Sequence, residues 1–137
     1  MRFWDSSALV PLIADEPKTE LVNEIGESDP AMIVAFITPI EVESAVWRKV
    51  RLMKDEIARQ RSQQRLAHLR TAWSIVANFQ AALDEARRMV ARYGLRGADA
   101  IQLACAIVGP TQKRLPFVTL DEELAAAARA EGFPILP

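Results

Sequence analysis

Four carboxylates stand at positions from which a chain can do chemistry. Asp5 closes the apolar start "RFW", and Glu41 follows the apolar run "AMIVAFI" within "TPIEVES". Asp99 heads the almost wholly apolar "ADAIQLACAI", and Asp121 comes directly after "FVTL". Each also has a structural role open to it. Asp5 can cap a helix beginning at Ser6, and Asp121 can cap "EELAAAA". Thr38 and Glu41 have the three-residue spacing of a capping box, and Asp99 suits the positive end of a helix dipole. Capping alone explains poorly why four acids, each at a strand end or a helix N-terminus, fall at equivalent ends of a parallel sheet. Carboxylates brought together resist ionising together. Mg²⁺ or Mn²⁺ removes that conflict, since both prefer oxygen ligands. One histidine, His68, and one cysteine, Cys105, leave no His/Cys metal cluster and no internal disulfide. An oxygen-only metal site serves phosphate chemistry, by polarising the phosphoryl group.

The elements that must position these acids alternate between strand and helix. "RFWD" reads as a first strand and "SSALVPLIAD" as a helix with Pro11 near its start. "EPKTELVNEIGES" reads as a second helix, with Pro17 in its first turn and Gly26 past its end. Residues 31–37 form a continuous apolar run, as in a strand buried on both faces of a parallel sheet. Helices are expected over "TPIEVESAVWRKVRLM", over 54–72 with Leu66, Leu69 and Trp73 on its apolar side, over "ANFQAALDEARRMVARYG", and from Ala98 toward Gly109-Pro110. "LPFVTL", "DEELAAAARAEG" and "FPIL" read as strand, helix and strand. Strand–helix alternation predicts an α/β domain with a mostly parallel sheet. Functional groups in such sheets gather at the C-terminal strand ends.

The chain has 137 residues, half of them hydrophobic, as expected for one domain over 1–137. Asp5 interrupts any apolar leader, and no apolar stretch is long enough to span a membrane, so a cytoplasmic chain with no membrane contact is expected. The net charge is −1, which is not that of a general nucleic-acid binder. Yet residues 48–70 hold eight cations against only Asp55 and Glu56, so the remainder carries −7. Within that segment Lys54, Arg61 and Arg65 have the spacing of one helix face, a candidate contact for an anionic partner.

The segments "DSSALVPLIADEP", "TPIEVESAVWR", "LRGADAIQLACA" and "FVTLDEELAAAA", taken in order, resemble the PIN domain, and specifically the VapC-type toxin ribonucleases of toxin–antitoxin pairs. The resemblance implies a three-layer α/β/α domain whose short, mostly parallel central sheet is surrounded by helices. It implies a metal-dependent endoribonuclease with Asp5, Glu41, Asp99 and Asp121 as the catalytic and metal-holding acids for Mg²⁺ or Mn²⁺. Asp5 and Asp99 would be the main ligands. Glu41 would orient the attacking water or act as general base, and Asp121 would complete the cluster. Ser6 or Ser7, and Thr119, would position phosphate or water, and the products would carry 5′-phosphate and 3′-hydroxyl ends. A cognate VapB-type antitoxin, an RNA substrate and a homodimer are the implied partners. The chain departs from the family at Pro11, where lysine is frequent, and at Gln102, where histidine is frequent. The alternative is a catalytically inactive PIN-fold module kept for protein interaction. A haloacid-dehalogenase-type phosphatase would need a second aspartate at position 7, which is Ser7. A receiver domain would need paired acids after the first strand, and none are present.

Overall fold

The computed structural model describes residues 1–137. The chain runs β1 (Arg2–Trp4), α1 (Ser6–Ile13), α2 (Thr19–Glu27), β2 (Met32–Val34), α3 (Thr38–Leu52), α4 (Glu56–Leu69), β3 (Trp73–Ile75), α5 (Phe79–Tyr93), α6 (Gly97–Ile107), β4 (Phe117–Val118), α7 (Glu122–Ala130) and β5 (Ile135–Leu136). The strands form one sheet in the order β3-β2-β1-β4-β5, every pair parallel. The three-layer α/β/α architecture follows from side-chain alternation along these strands. Phe3, Ile33 and Phe117 face one core with residues of α5, α6 and α7. Trp4, Met32, Val34 and Val118 face the other with residues of α1, α3 and α4. The strand order reverses at β1, between β2 and β4, which makes the C-terminal end of β1 a topological switch point.

Each core is locked by large side chains. Phe117 stacks on Phe3 at 5.2 Å between ring centroids and meets Phe133 edge-on at 5.7 Å. On the other face the fully buried Trp4 donates its indole N–H to Asp29 Oδ2 at 2.8 Å, so its one polar group is satisfied. No helix is long and apolar enough to cross a membrane.

Several local expectations give way. β3 falls within no predicted strand, and Trp73 belongs to it rather than to the preceding helix. This strand has only three residues, with Ser74 and Ile75 exposed at the sheet edge, so no apolar run marks it. Pro11 is the sixth residue of α1, not an early one, and it is buried. Pro17 precedes α2, and Gly26 lies in its last turn. The helix expected over 54–72 begins only at Glu56, because Asp55 caps it by accepting from Ile57 N at 3.0 Å. Lys54 therefore lies in the connection between α3 and α4.

Candidate metal centre

Asp5 follows β1 directly and is 3% exposed. It caps α1 after all, its Oδ2 accepting from Ser7 N at 3.2 Å. The same oxygen accepts from the Ser7 hydroxyl and from Thr119 Oγ1 at 2.9 Å. Those hydroxyls are oriented in turn. Ser7 Oγ accepts from Leu120 N at 2.9 Å, and Thr119 Oγ1 accepts from Asp121 N at 3.1 Å, so their own protons are free to point at Asp5. Burial raises the Asp5 pKa, the bonds from Ser7 and Thr119 pull it back, and the nearby Glu41 charge raises it further. Ser7 and Thr119, expected to position phosphate or water, both bond this carboxylate.

Glu41 lies in the first turn of α3, but the capping box is not formed. Thr38 Oγ1 bonds the side chain of Gln102 rather than a backbone N–H of its own helix. Glu41 Oε1 accepts from Gln102 Nε2 at 2.6 Å and from Ser6 Oγ at 2.9 Å. Gln102 is 1% exposed, and its amide also reaches Ser6 Oγ and Thr38 Oγ1, each at 3.0 Å. Gln102, which stands where the family often has histidine, thus belongs to the candidate site through Glu41 and Ser6. The available signal was a polar side chain inside an apolar helix, one turn after Asp99.

Asp99 is half-buried in the first turn of α6. Its pKa rises from 3.8 to about 6, through burial first, then through the charges of Asp121, Asp5 and Glu41, against a smaller lowering by Arg96. Asp121 caps α7, Oδ1 accepting from Leu124 N at 2.8 Å. Capping and cluster membership therefore coexist at Asp5 and Asp121. As the side chains stand, no three of the acids are gathered tightly enough to ligate one ion. The donor set still fits a hard divalent cation. It is all oxygen, it is mutually repelling, and Glu41 Oε2 and Asp121 Oδ2 carry no hydrogen bond within the protein.

The basic segment does not form the expected face. Lys54 is outside α4, and Arg65 is bound to Asp15 at 2.9 Å, just beyond the C-terminal end of α1 and so at the opposite end of that helix from Asp5. Lys49 pairs with Glu16, Arg59 with Glu56, and Arg70 with Glu43, the acid two residues after Glu41. Lys54 and Arg61 are in no ion pair.

Three outcomes follow from this geometry. Since the fold raises the Asp99 pKa, the ionised form is the one it disfavours. The stability that Asp99 contributes to the metal-free protein is therefore present below 3.8 and is expected to be lost as pH rises through about 6. In EDTA at pH 7, Asp99→Asn should melt at the same temperature as wild type or up to about 3 °C higher, the scale of roughly 1 kcal/mol in a domain of this size. A clearly lower melting temperature would contradict the repulsion. Gln102→Leu should lower stability by about 2 kcal/mol in urea unfolding, by leaving the buried Thr38 hydroxyl without a partner and Glu41 with Ser6 as its one donor. A loss under about 0.5 kcal/mol would show that the amide does not hold them.

The comparisons with known proteins agree with this architecture. A solved structure of PAE2754 from Pyrobaculum aerophilum is similar, with a TM-score of 0.67 at 22% identity over 98% of this chain and 87% of that one. A toxin–antitoxin complex from Klebsiella pneumoniae contains a chain with a TM-score of 0.66 at 19% identity, over 100% of this chain and 97% of that one. At these identities the likeness is one of fold. No curated protein is similar enough in sequence to count as a match. The family model described as "PIN domain" matches residues 2–130. The acids at the C-terminal strand ends, the parallel sheet that carries them and this match place the chain in the PIN-domain family, a nuclease fold.

Proposed function

We propose that this chain is a divalent-metal-dependent endoribonuclease, the toxin of a toxin–antitoxin pair. The observation that carries the reading is the convergence of acids from four separate segments on one end of the sheet, where Asp121, Asp5 and Glu41 all act on Asp99. The toxin–antitoxin complex among its structural neighbours supports the biological half of the reading.

Asp5 and Asp99 would be the main holders of Mg²⁺ or Mn²⁺, with Asp121 completing the set. The ion, when bound, would neutralise the cluster and polarise a phosphodiester oxygen. The remaining work belongs to the chain's own groups. Ser7 and Thr119 fix the direction of the Asp5 carboxylate. Gln102 and Ser6 occupy Glu41 Oε1, so Oε2 is the atom left to orient water or to take its proton. A fixed base next to the reacting phosphorus supplies the orientation that hydrolysis needs. The products would carry 5′-phosphate and 3′-hydroxyl ends. Lys54 and Arg61 remain available to an anionic partner, and a homodimer in the cytoplasm is the expected form.

Asp99→Asn tests the enzyme. Mn²⁺ should raise the melting temperature of wild type in line with RT ln(1 + [L]/Kd) and that of the variant much less. RNA cleavage should be lost in the variant, and near-wild-type cleavage by it at saturating Mn²⁺ would overturn the assignment. Inhibition is expected to work through the same acids, with a VapB-type antitoxin inserting an Arg or Lys among Asp5, Glu41, Asp99 and Asp121, because a cation can pair with carboxylates in place of the ion. A co-purified partner that leaves RNA cleavage intact at saturation would contradict this.

A further inference from the structure

Beside the acids lies a recess of about 260 Å³, and Thr119 and Asp121 line it as well as belonging to the cluster. Its lining is mostly polar and includes two cations from distant segments, Lys18 and Arg129. Both are exposed, and neither is in an ion pair; of the basic segment, Lys49, Arg59, Arg65 and Arg70 each hold a carboxylate, while Arg48, Arg51, Lys54 and Arg61 do not. We propose that this recess is a phosphate-binding subsite for the RNA strand next to the scissile bond, with Lys18 and Arg129 as its cations. The subsite rests on the nuclease reading above and places the backbone contacts away from residues 48–70.

The geometry of α7 supports it. Glu122, Ala125 and Arg129 follow at spacings of three and four, so they share one helix face. Arg129 stands eight residues after Asp121, about 12 Å along the helix. A strand whose reacting phosphate sits at the acids can then lay a neighbouring phosphate toward Arg129. The small Ala125 between them leaves the path open. Lys18 is the N-cap of α2, a helix with no side-chain cap, so the positive helix end adds to its charge, partly offset by Glu20 in the first turn. Lys18 and Arg129 thus line the same recess as the acids Asp121 and Glu122. A polyanion that must approach repelling carboxylates needs such a basic flank. A guanidinium and an ammonium beside a polar recess suit phosphate oxygens better than an apolar protein segment.

The test uses the full chain, a short single-stranded oligoribonucleotide, and Ca²⁺ in place of Mg²⁺ to suppress cleavage during binding measurements. Lys18→Ala/Arg129→Ala should weaken binding at least tenfold at low salt. It should also make the slope of log K against log[salt] shallower by about 1.4, the value for two phosphate contacts on a single strand. Ala125→Glu, at a partly exposed position, should weaken binding in the same direction. Mn²⁺ should raise the melting temperature of the double variant as it does that of wild type, since neither cation is a metal holder. An unchanged salt slope in the double variant, where wild type cleaves RNA and responds to Mn²⁺, would overturn the subsite and leave the nuclease reading standing. A larger slope change in Lys54→Ala/Arg61→Ala than in the double variant would also overturn it. If the double variant loses RNA binding while wild type neither cleaves nor responds to Mn²⁺, the recess binds an RNA backbone but serves no scissile bond, and the nuclease reading fails.

Discussion

A carboxylate almost sealed from water at the end of the central strand is the constraint on which this molecule turns. Asp5 cannot remain ionised there without donors, and its donors come from separate places in the chain: Ser7 from the first turn of α1 and Thr119 from the residue after β4. The hydrogen bonds that stabilise the charge therefore also tie β1, α1 and β4 together. Backbone bonds complete the tie, since Asp5 N donates to Val118 O at 3.0 Å and Leu120 N donates to Ser7 Oγ. A group whose burial disfavours its charge becomes the reason that two neighbouring strands end in register.

The second tie joins opposite faces of the sheet. α3 packs with the core on one side and α6 with the core on the other. They meet through Thr38, Glu41 and Gln102 at the C-terminal strand ends. An amide can donate and accept at once, so Gln102 bonds Thr38 in both senses while also donating to Glu41. This is a neutral way to hold a carboxylate. It orients Glu41 without cancelling its charge, and so preserves the negative cluster that a cation would balance. Asp99 is left as the least supported member, with no hydrogen bond to its carboxylate and three acids acting on it.

The distribution of cations obeys a similar logic. The segment 48–70 looks like a binding surface when its charges are counted, but several of those charges brace α3 and α4 against α1 and each other. Lys49 and Arg65 reach the acids that follow α1, and Arg70 reaches Glu43. Such pairs are partly exposed and individually weak. Their consequence here is occupancy, because a guanidinium already holding a carboxylate is less available to a phosphate. Charge density along a sequence does not reveal which charges are internally balanced.

The amino-acid sequence by itself determined the class of fold and the placing of four acids at strand ends or helix starts. Alternating apolar runs and helix periodicity are local properties, and an acid that ends a strand or begins a helix can be read wherever such elements are read. The single histidine and cysteine left oxygen as the only ligand chemistry, which is a matter of composition alone. The short edge strand β3 was not legible, because three residues with two of them exposed carry no periodic signal and take their structure from pairing with β2. The tertiary structure alone decided that Thr38 turns to Gln102 instead of capping its own helix, that Ser7 and Thr119 serve Asp5, and that Lys18 and Arg129 share a recess beside Asp121. Each of these joins residues far apart in the chain, and a hydrogen bond or a shared surface depends on distance in space, which residue spacing expresses only within one element.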